Sequence, residues 1–420
     1  MAEAPRGTRA PLAATGPHVL RQINNTAVFT ALRQAVSAIA RVSELMTSTG
    51  LSRPAVTRAL ADLRDADLVE LVTDDTARIG RPAQRARLRA AFGHVAGVDV
   101  DRHKILVKIA NVAGGVLVTH RVNTPPRTTG PDLPALISTA LEQAVAAAGL
   151  THADLWAVCV GTPGIVDRDH GEVVLAPSIP GWAGLPVVPQ LRDQLHCPVL
   201  IDNDVNLAVL AERWRGTAIG VESLVFVQWG ERIGTGLIID GAPYRGAHAA
   251  AGELGFLDLG LPPNDPTGRP AANEGTGPFE RLVGAAAIHE LAVAMTAGGR
   301  DRDLHAQLTA PGERDIAPLF AAAAAGSPVA VAVVDRVAAR FAQGLGALIL
   351  LMDPEQVVIG GGLSRAGDTL LDPVRRHLVG RTLSSPTEVR ASTLGEDAVA
   401  LGAIRHALDA TAVRRVASIG

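Results

Sequence analysis

Two arginines and a threonine near the start of the chain have the types and the spacing of side chains that read DNA. Arg53, Thr57 and Arg58 lie in the first turns of a predicted helix, on the side away from its apolar residues. Arginine and threonine at the N-terminal end of a helix suit a major groove, where phosphates and guanine edges are the targets. We therefore predict that these three residues contact DNA, together with Ser52 at the start of the helix.

The same stretch of sequence predicts the helices that must position these side chains. A short helix is expected to end in a tight turn at residues 49–51, where Gly50 supplies the left-handed backbone conformation. The hydroxyl group of Ser52 is expected to cap the second helix, and Pro54 suits its first turn. Four apolar residues recur at helical spacing and are expected to pack on the preceding helices, namely Val56, Ala59, Leu60 and Leu63. The pattern predicts a helix-turn-helix, with an ordinary surface hairpin of helices as the alternative.

A basic pair of strands is predicted directly after these helices. Residues 68–72 have the pattern of a strand, a polar turn follows, and residues 78–89 contain arginines at positions 78, 81, 85, 87 and 89. Such a wing would place Arg81, held in an extended Gly-Arg-Pro sequence, in a minor groove. Residues 1–92 contain 13 arginines and 8 acidic residues, whereas the whole chain has a net charge of −3. A basic segment attached to an acidic remainder is typical of a DNA-binding protein.

The length and composition limit the class of protein. With 420 residues, of which 47% are hydrophobic and 19% charged, the chain is long enough for two further lobes with cores of their own. The longest apolar stretch, residues 329–352, contains three charged residues, so we predict a buried amphipathic helix rather than a membrane span. Cys159 and Cys197 lie in apolar runs typical of buried thiols in a reducing compartment. We expect a cytoplasmic protein that binds no membrane, with a disordered tail at residues 1–20.

After the basic segment, the sequence passes twice through a similar series of strand and helix patterns. Each half begins with predicted strands joined by short turns and ends with alternating helices and strands. In the second half, helices are predicted at about residues 279–297, 314–325 and 328–352. This repetition predicts a duplicated α/β fold with a cleft between two lobes.

Five short motifs in this body occur in a characteristic order. They are Gly-Thr-Pro-Gly-Ile-Val-Asp at 161–167, Ala-Pro-Ser-Ile-Pro-Gly-Trp at 176–182, Asp-Asn-Asp-Val-Asn at 202–206, Ile-Asp-Gly-Ala-Pro-Tyr-Arg-Gly at 239–246 and Ala-Gly-Glu-Leu-Gly at 251–255. Together with the predicted helix-turn-helix, they make residues 21–415 resemble the repressor branch of the ROK family (repressors, open reading frames and kinases). The resemblance implies an actin-like ATPase fold, which is ribonuclease-H-like, with a sugar in the cleft and a dimeric or tetrameric assembly.

The resemblance also implies how the chain is divided. A winged helix-turn-helix is expected at residues 21–92, followed by a sugar-kinase-like domain at residues 93–420. Within that domain, one lobe is expected at about 93–205 together with the C-terminal helix. The other lobe is expected at about 206–395.

The sugar site of the family can be carried over to this chain residue by residue. In the kinases an aspartate removes a proton from the attacking sugar hydroxyl and an adjacent asparagine fixes the sugar; the matching residues are Asp204 and Asn203. Glu253 and Glu280 match carboxylates that accept hydrogen bonds from ring hydroxyls. Gly164 matches a glycine that lets the backbone approach the sugar closely. We expect these residues to bind an effector, and the alternative for Asn203 and Asp204 is a cap on the helix that follows them.

The nucleotide-binding motifs of the family are altered in this chain. The Asp-x-Gly-Gly-Thr phosphate loop of the kinases reads Asp-Val-Asp-Arg-His at residues 99–103, so both glycines and the threonine are gone. The carboxylate of Asp101 would repel an ATP phosphate, and the added side chains would crowd the backbone amides. In the second phosphate loop, residues 230–236, Arg232 occupies a position where a small residue is usual. We therefore expect no ATP and no catalytic residue, with Asp204 as a vestige of the kinase base.

The residues that would bind the structural zinc ion of the family are also missing. Phe256 stands at the position of the histidine ligand, and Ala271, Asn273 and Pro278 stand at the cysteines. We therefore expect no metal and no other cofactor. Because the family histidine also contacts the sugar, Phe256 would either stack on a sugar ring or fill the vacated space, and the effector could be a different small molecule.

These expectations combine into one functional hypothesis. The chain is predicted to be a transcriptional repressor linked to carbohydrate metabolism, not an enzyme, that binds a palindromic double-stranded operator as a homodimer or homotetramer. A sugar or related small molecule would act through a change in the angle between the lobes. Two alternatives stay open: a sugar kinase fused to a DNA-binding head, supported by Asp204 and Asp99, and an architectural regulator whose body only dimerises.

Overall fold

The computed structural model of the protein describes residues 17–73, 84–260, 275–311, 314–383, 387–416 and 419. Contacts between residues divide the chain into two compact units. The smaller unit comprises the chain up to His94 together with Ala110–Gly115 and the chain from Leu408 onward. The larger unit comprises Val95–Ile109 and Val116–Ala407. The predicted domain limits at residues 20, 92, 205 and 395 remain predictions.

The smaller unit begins with helices and a small antiparallel sheet. Its elements are, in chain order, α1 (Pro17–Gln34), β1 (Ile39–Arg41), α2 (Val42–Thr49), α3 (Arg53–Asp65), β2 (Val69–Thr73) and β3 (Gln84–Leu88). The strands lie in the order β1-β3-β2, and both pairs are antiparallel. Apolar side chains from all three helices are buried together, among them Phe29, Leu32, Leu45, Val56 and Leu63.

The turn between α2 and α3 agrees with the sequence prediction except at one hydrogen bond. Gly50 has a φ of 69° and donates its N–H to the carbonyl oxygen of Met46 at 2.9 Å, which ends α2. Ser52 occupies the N-cap position of α3, but its hydroxyl accepts no hydrogen bond from the helix, so the predicted side-chain cap is wrong. A cap normally binds the second or third helical N–H. Pro54, the second helical residue, has no N–H, so only Ala55 could donate to such a cap. The predicted apolar face of α3 is buried.

The larger unit contains two five-stranded sheets with helices packed on them. Its first half consists of β4 (His94–Val100), β5 (Lys104–Asn111), β6 (Val116–Asn123), α4 (Leu133–Ala147), β7 (Leu155–Thr162), β8 (Ile165–Asp167), β9 (Glu172–Leu175), α5 (Val187–Leu195) and β10 (Val199–Asn203). The main sheet has the order β10-β7-β4-β5-β6, and β8 and β9 form a separate hairpin. Apolar residues of the main sheet, α4 and α5 form one core.

The second half repeats this plan with more helices. It consists of α6 (Asp204–Arg215), β11 (Leu224–Trp229), β12 (Ile233–Ile239), β13 (Ala242–Tyr244), α7 (Glu280–Val283), α8 (Ala285–Thr296), α9 (Arg302–Leu308), α10 (Ala317–Ala324), α11 (Pro328–Met352), β14 (Gln356–Gly360), α12 (Asp368–Leu378), β15 (Glu388–Ala391) and α13 (Ala398–Thr411). Its sheet has the order β13-β12-β11-β14-β15, in which β11 is antiparallel to β12 and parallel to β14. The two halves confirm the predicted duplicated α/β body.

One predicted helix is divided in two. The sequence predicts a single helix at residues 279–297, but the structure contains α7 and α8, which Gly284 separates in an extended conformation. The break lets the N–H of Ala285 donate to the carbonyl oxygen of Gly230, on the β11–β12 turn, at 2.9 Å. Because this partner is distant in the chain, helical periodicity does not indicate the break, and the prediction is wrong at Gly284.

Helix α11 coincides with the predicted buried amphipathic helix. Its Phe341 stacks on Trp229 of β11, with ring centroids 3.6 Å apart. Within the described ranges, no single helix is long and apolar enough to cross a membrane. Helices α10 and α11 meet that criterion only as a pair, and the pair bends by 113° at its break.

Candidate functional site

The carboxyl ends of two parallel strands bring three of the predicted site residues together. Strands β7 and β10 pair in parallel, with Thr162 opposite Asn203 at the end of each strand. Gly164 follows β7 along the chain, and Asp204 begins α6 directly after β10. This edge of an α/β sheet is where ligands commonly bind.

Both polar atoms of the Asn203 side chain bind the backbone. Its Oδ1 accepts hydrogen bonds from the N–H groups of Val205 and Asn206, at 3.0 and 3.2 Å, and so caps α6. Its Nδ2 donates to the carbonyl oxygen of Gly164 at 2.8 Å. The structure therefore contains the helix cap that the sequence left as an alternative, and effector binding by Asn203 remains a prediction.

The glycine at position 164 is required by the hairpin that follows it. Gly164 has a φ of 101°, and a Cβ atom there would overlap the carbonyl oxygen of Leu175 in β9. The absence of a side chain thus allows β9 to approach the end of β7. This contact accounts for the glycine without a ligand, and its predicted role beside a sugar is untested.

Asp204 and Glu253 are half-buried carboxyl groups whose charges interact. Burial raises the pKa of Asp204 to about 7, and the carboxylates of Glu253 and Asp101 add to the increase. Burial also raises the pKa of Glu253, with a further contribution from Glu280. Near neutral pH, Asp204 can therefore both donate and accept a hydrogen bond, as a contact with a hydroxyl group requires.

Glu280 is 4% exposed, and its carboxylate binds the protein's own backbone. Its two oxygens accept hydrogen bonds from the N–H groups of Ile233 and Gly277, at 2.9 and 2.8 Å. The guanidinium group of Arg232 lies 3.5 Å from one of them. Glu280 therefore ties the β11–β12 turn to the segment before α7, and a hydrogen bond from Glu280 to an effector remains a prediction.

A cavity of about 260 Å³ lies beside two of the predicted site residues, Gly164 and Glu253. It is lined by Gly164, Ile165, Leu175, Pro177, Glu253 and Phe256. Phe256, which stands at the position of the family histidine, is 46% exposed at this cavity. The residue therefore does not fill a closed core, and its ring is available to a ligand.

The sequence did not single out an ion pair that supports this edge of the sheet. Asp202 is buried at the end of β10, and Arg245 donates to its carboxylate at 2.6 and 3.1 Å. Arg168 lies 3.6 Å from the same carboxylate. Both Asp202 and Arg245 lie in motifs that carry the ROK resemblance, and these motifs are the sequence feature from which the pair could have been predicted.

The turn that corresponds to the first phosphate loop is occupied by its own side chain. Oδ1 of Asp101 accepts hydrogen bonds from the N–H groups of His103 and Lys104, at 2.6 and 2.8 Å. These are amides of the turn that a phosphate would need. Behind the turn, burial raises the pKa of Asp99 to about 8, although Nζ of Lys104 lies 3.8 Å from its carboxylate.

An ion pair connects this turn to the second phosphate loop. The guanidinium group of Arg102 lies 3.1 Å from the carboxylate of Glu231. A cavity of about 550 Å³ adjoins the pair, and its lining includes four arginines, at positions 102, 232, 281 and 314. Three of them pair with carboxylates. Arg102 pairs with Glu231, Arg232 faces Glu280, and Arg314 lies 3.3 Å from Glu290. The protein therefore neutralises most of the charge that could bind phosphates.

The structure describes only two of the four residues that stand at the predicted zinc-ligand positions. Phe256 and Pro278 are described, whereas Ala271 and Asn273 lie outside the described residues. Over the ranges that the structure describes, no group of three or more His, Cys, Asp or Glu side chains is arranged to hold a metal ion.

The predicted DNA-contacting residues of α3 all lie at the surface. Ser52, Arg53, Thr57 and Arg58 are exposed at the beginning of the helix. On its buried side, Arg21 of α1 donates to both carboxylate oxygens of Asp62, at 2.6 and 2.7 Å, and holds the helix in place. This pairing lowers the pKa of the Asp62 carboxyl.

The strands after α3 carry basic side chains that are partly neutralised. Arg87 pairs with Glu70 across β2 and β3, and Arg89 pairs with Asp67. Arg81, the predicted minor-groove residue, lies outside the described residues, as does Arg78.

Comparison with known proteins gives one family. The ROK family model matches residues 95–410 of this chain. The glucokinase of Halalkalibacterium halodurans is 30% identical over 310 residues, which are 73% of this chain and 92% of that protein. The xylose repressor of Caldicellulosiruptor bescii is 25% identical over 390 residues, which are 92% of this chain and 95% of that protein.

Two solved structures resemble the fold. A ROK family transcriptional regulator, a homologue of the E. coli MLC protein, has a TM-score of 0.79 at 23% identity and covers 96% of this chain and 100% of its own. A ROK family glucokinase from Streptomyces griseus, in complex with glucose and AMPPNP, has a TM-score of 0.62 at 28% identity, over 75% of this chain and 99% of its own. The family model and the glucokinase match each span well over half of this sequence, so the chain belongs to the ROK family.

Proposed function

We propose that the protein is a DNA-binding transcriptional repressor that responds to a small polyhydroxylated molecule. The observation that carries the proposal is the exposed set Arg53, Thr57 and Arg58 at the start of α3, directly after the Gly50 turn. Helices α2 and α3 and strands β2 and β3 have the order of a winged helix-turn-helix, whose second helix enters a major groove. The ion pair between Arg21 and Asp62 would hold that helix steady against α1.

The two altered phosphate loops favour a regulator over a kinase. Asp101 occupies amides of the first loop, and Arg102 and Glu231 pair across both loops. A nucleotide would have to displace the carboxylate and break the ion pair before its phosphates could bind. Asp204, at the position of the kinase base, is then a ligand-binding group without a phosphoryl donor.

The share of this chain that each match covers also favours a regulator over a kinase. The xylose repressor match takes in 92% of this chain, whereas the glucokinase match takes in 73% and the family model begins at residue 95. We infer a homodimer or homotetramer on a palindromic operator, because two copies of α3 would then read two half-sites. A cytoplasmic location follows from this role, since the operator lies there.

Substitutions in α3 test the DNA-binding role directly. The probe is an operator selected from random double-stranded DNA by the full-length protein, and the measurement is fluorescence anisotropy at several salt concentrations. Replacing Arg53 or Arg58 with alanine should cost about 1–3 kcal/mol per half-site, with relaxed sequence choice. Arg81→Ala should weaken binding with less effect on sequence choice. Arg64→Ala is the matched control, because Arg64 is exposed in the last turn of α3 and pairs with Asp65.

Three outcomes would contradict the proposal or part of it. If the Arg53 and Arg58 variants keep both the affinity and the sequence preference of the wild type, α3 does not read DNA. If the protein phosphorylates a hexose with ATP and Asp204→Asn abolishes that activity, the chain is a kinase. An effector-independent architectural role would follow if no sugar or glycoside changed the melting temperature or the operator affinity.

A further inference from the structure

We propose that the effector is an uncharged glycoside, with its sugar ring against Asp204 and Glu253 and a flat apolar substituent on Phe256. This inference rests on the proposed function, because it names the class of molecule that the body of the repressor binds. The proposed effector differs from a free hexose because it carries the apolar substituent. It differs from a sugar phosphate because it carries no anionic group.

The first support is the lining of the 260 Å³ cavity. Most of its described wall is apolar, formed by Ile165, Leu175, Pro177 and Phe256. Within the described part of the chain, Glu253 is the one lining residue with an ionisable side chain. The C–H face of a bare hexose could cover one side chain of that wall, but its hydroxyl groups would leave the remaining apolar side chains against water. A phenyl or alkyl substituent on the sugar would bury the wall.

The second support is the exposure of the wall itself. Phe256 is 46% exposed and Leu175 is 44% exposed, although both belong to the same cavity. Apolar side chains that share a concave surface and stay open to solvent are typical of a ligand site. An aromatic ring offers a planar face for stacking with another ring, which adds affinity beyond the buried area.

The third support is the charge around the cavity. Among the residues that the structure describes, no lysine or arginine lines the cavity, and Asp204 and Glu253 are acidic groups whose pKa is raised. An anionic ligand would be repelled whenever these groups ionise, whereas a neutral polyol can exchange hydrogen bonds with them in either protonation state. Arg232, a nearby cation, is held by Glu280 and by the carbonyl oxygen of Gly275.

The size of the cavity limits the ligand further. Cavities for drug-sized ligands commonly measure about 300–1,000 Å³, and this one is slightly smaller. One sugar ring with one small substituent therefore suits the site better than an oligosaccharide.

Calorimetry on the full-length protein tests the inference. The probes are matched phenyl and methyl glycosides of glucose, galactose and xylose in both anomeric forms, with the free sugars and glucose 6-phosphate alongside. For at least one sugar, the phenyl glycoside should bind about tenfold more tightly than the methyl glycoside, which one stacked ring can supply. Glucose 6-phosphate should bind more weakly than any glycoside that binds.

Two variants link this preference to the aromatic ring. Phe256→Ala should reduce the phenyl preference to near unity, and Phe256→Tyr should keep it. Leu257→Ala is the control, because Leu257 is a neighbouring exposed apolar residue that does not belong to the cavity lining. Melting temperatures of the three variants show whether each one is folded.

The inference is overturned if phenyl and methyl glycosides bind equally, if the sugar phosphate binds best, or if no probe binds. It is also overturned if Phe256→Ala is folded and retains the phenyl preference. Operator binding is measured on the same samples, so the two proposals can fail separately. Normal operator binding without a phenyl preference rejects the glycoside alone, whereas loss of sequence-specific DNA binding in the wild type rejects the proposed function.

Discussion

At the scale of single residues, the site is a set of carboxyl groups placed where charge is unfavourable. Asp204 titrates near pH 7 because burial and the neighbouring carboxylates of Glu253 and Asp101 disfavour its ionised form. In a kinase that group would need a phosphoryl acceptor and a nucleotide close together. Here Asp101 binds an amide of the first loop and Arg102 pairs with Glu231 of the second. Under the proposed function, the raised pKa of Asp204 would serve hydrogen bonding to a ligand.

The raised pKa of Asp204 predicts how stability depends on pH. The folded pKa of about 7 lies above the ordinary value of about 3.9, so between these values the folded state binds more protons than the unfolded state. The stabilising contribution is therefore complete below about pH 4 and is lost as the pH rises through 7. Asp204→Asn should flatten the fall in melting temperature between pH 5 and about pH 8, relative to the wild type.

The control for this measurement is Asp240→Asn, which removes one carboxylate from an exposed turn. It should leave the pH dependence unchanged. Identical curves for the Asp204 variant and the wild type would show that Asp204 ionises normally in the folded protein.

Sequence reasoning identified these residues more easily than their partners. Asp204 and Glu253 were available from ordered motifs and Glu280 from the family resemblance, but the N–H of Ile233 that donates to Glu280 belongs to a distant segment. The cap predicted for Ser52 is absent, and the local rule did not allow for Pro54, which removes one of the two N–H groups that a cap can bind. Partners supplied by distant segments cannot be derived from the spacing of residues along one element.

At the scale of elements, the beginning of α6 determines the geometry of the site. Asn203 caps the helix with one side-chain atom and binds the carbonyl oxygen of Gly164 with the other. The single residue thus joins the ends of β7 and β10 to the helix that carries Asp204. The position of that carboxyl group depends on this cap.

Substitution of Asn203 separates its two hydrogen-bonding roles. Asn203→Ala should lower the free energy of unfolding by about 1–2 kcal/mol, because the cap is lost. Asn203→Ser should recover part of that loss, since a serine hydroxyl can accept from the same amides but cannot reach Gly164 as a donor. Chemical denaturation of the full-length protein measures both values. Asn123→Ala, at the exposed end of β6, is the control, and an alanine variant as stable as the wild type would show that the cap contributes nothing.

Apolar periodicity predicted the main strands and helices of the larger unit, but it did not predict where elements break or where short strands lie. The strands of both sheets and the long helix α11 follow apolar patterns that the sequence displays. The break at Gly284 depends instead on a hydrogen bond to Gly230. The β8–β9 hairpin was also missed, because its strands are only three and four residues long.

At the scale of the whole molecule, one helix belongs to both units. Helix α13 has its residues up to Ala407 in the larger unit and continues from Leu408 in the smaller one. In the larger unit Gly402 packs so closely on α6 that a Cβ atom would overlap the carbonyl oxygen of Leu207. A ligand at Asp204 that displaced α6 would therefore displace α13 as well.

The other end of α13 is bound by the first helix of the smaller unit. The side chain of Arg33 is 4% exposed, and it donates to the carbonyl oxygen of Leu408 at 2.6 Å and pairs with Asp409. Helix α1 also carries Arg21, which holds α3 through Asp62. We expect that any coupling between the proposed effector site and α3 depends on these bonds, and each of them has a definite partner to remove.

Loss of Arg33 should weaken the coupling between effector and operator without preventing effector binding. Arg33→Ala removes the bonds to Leu408 and Asp409, so movement of α13 would no longer be transmitted to α1. The change in operator affinity caused by a saturating glycoside should shrink by about 0.5–2 kcal/mol, while calorimetry should give an unchanged affinity for the glycoside alone. Because coupling is reciprocal, operator DNA should also lose its effect on glycoside affinity by the same factor. Arg64→Ala, which alters an exposed arginine of α3, should keep the full coupling, and a folded Arg33 variant with wild-type coupling would show that the signal does not pass through these bonds.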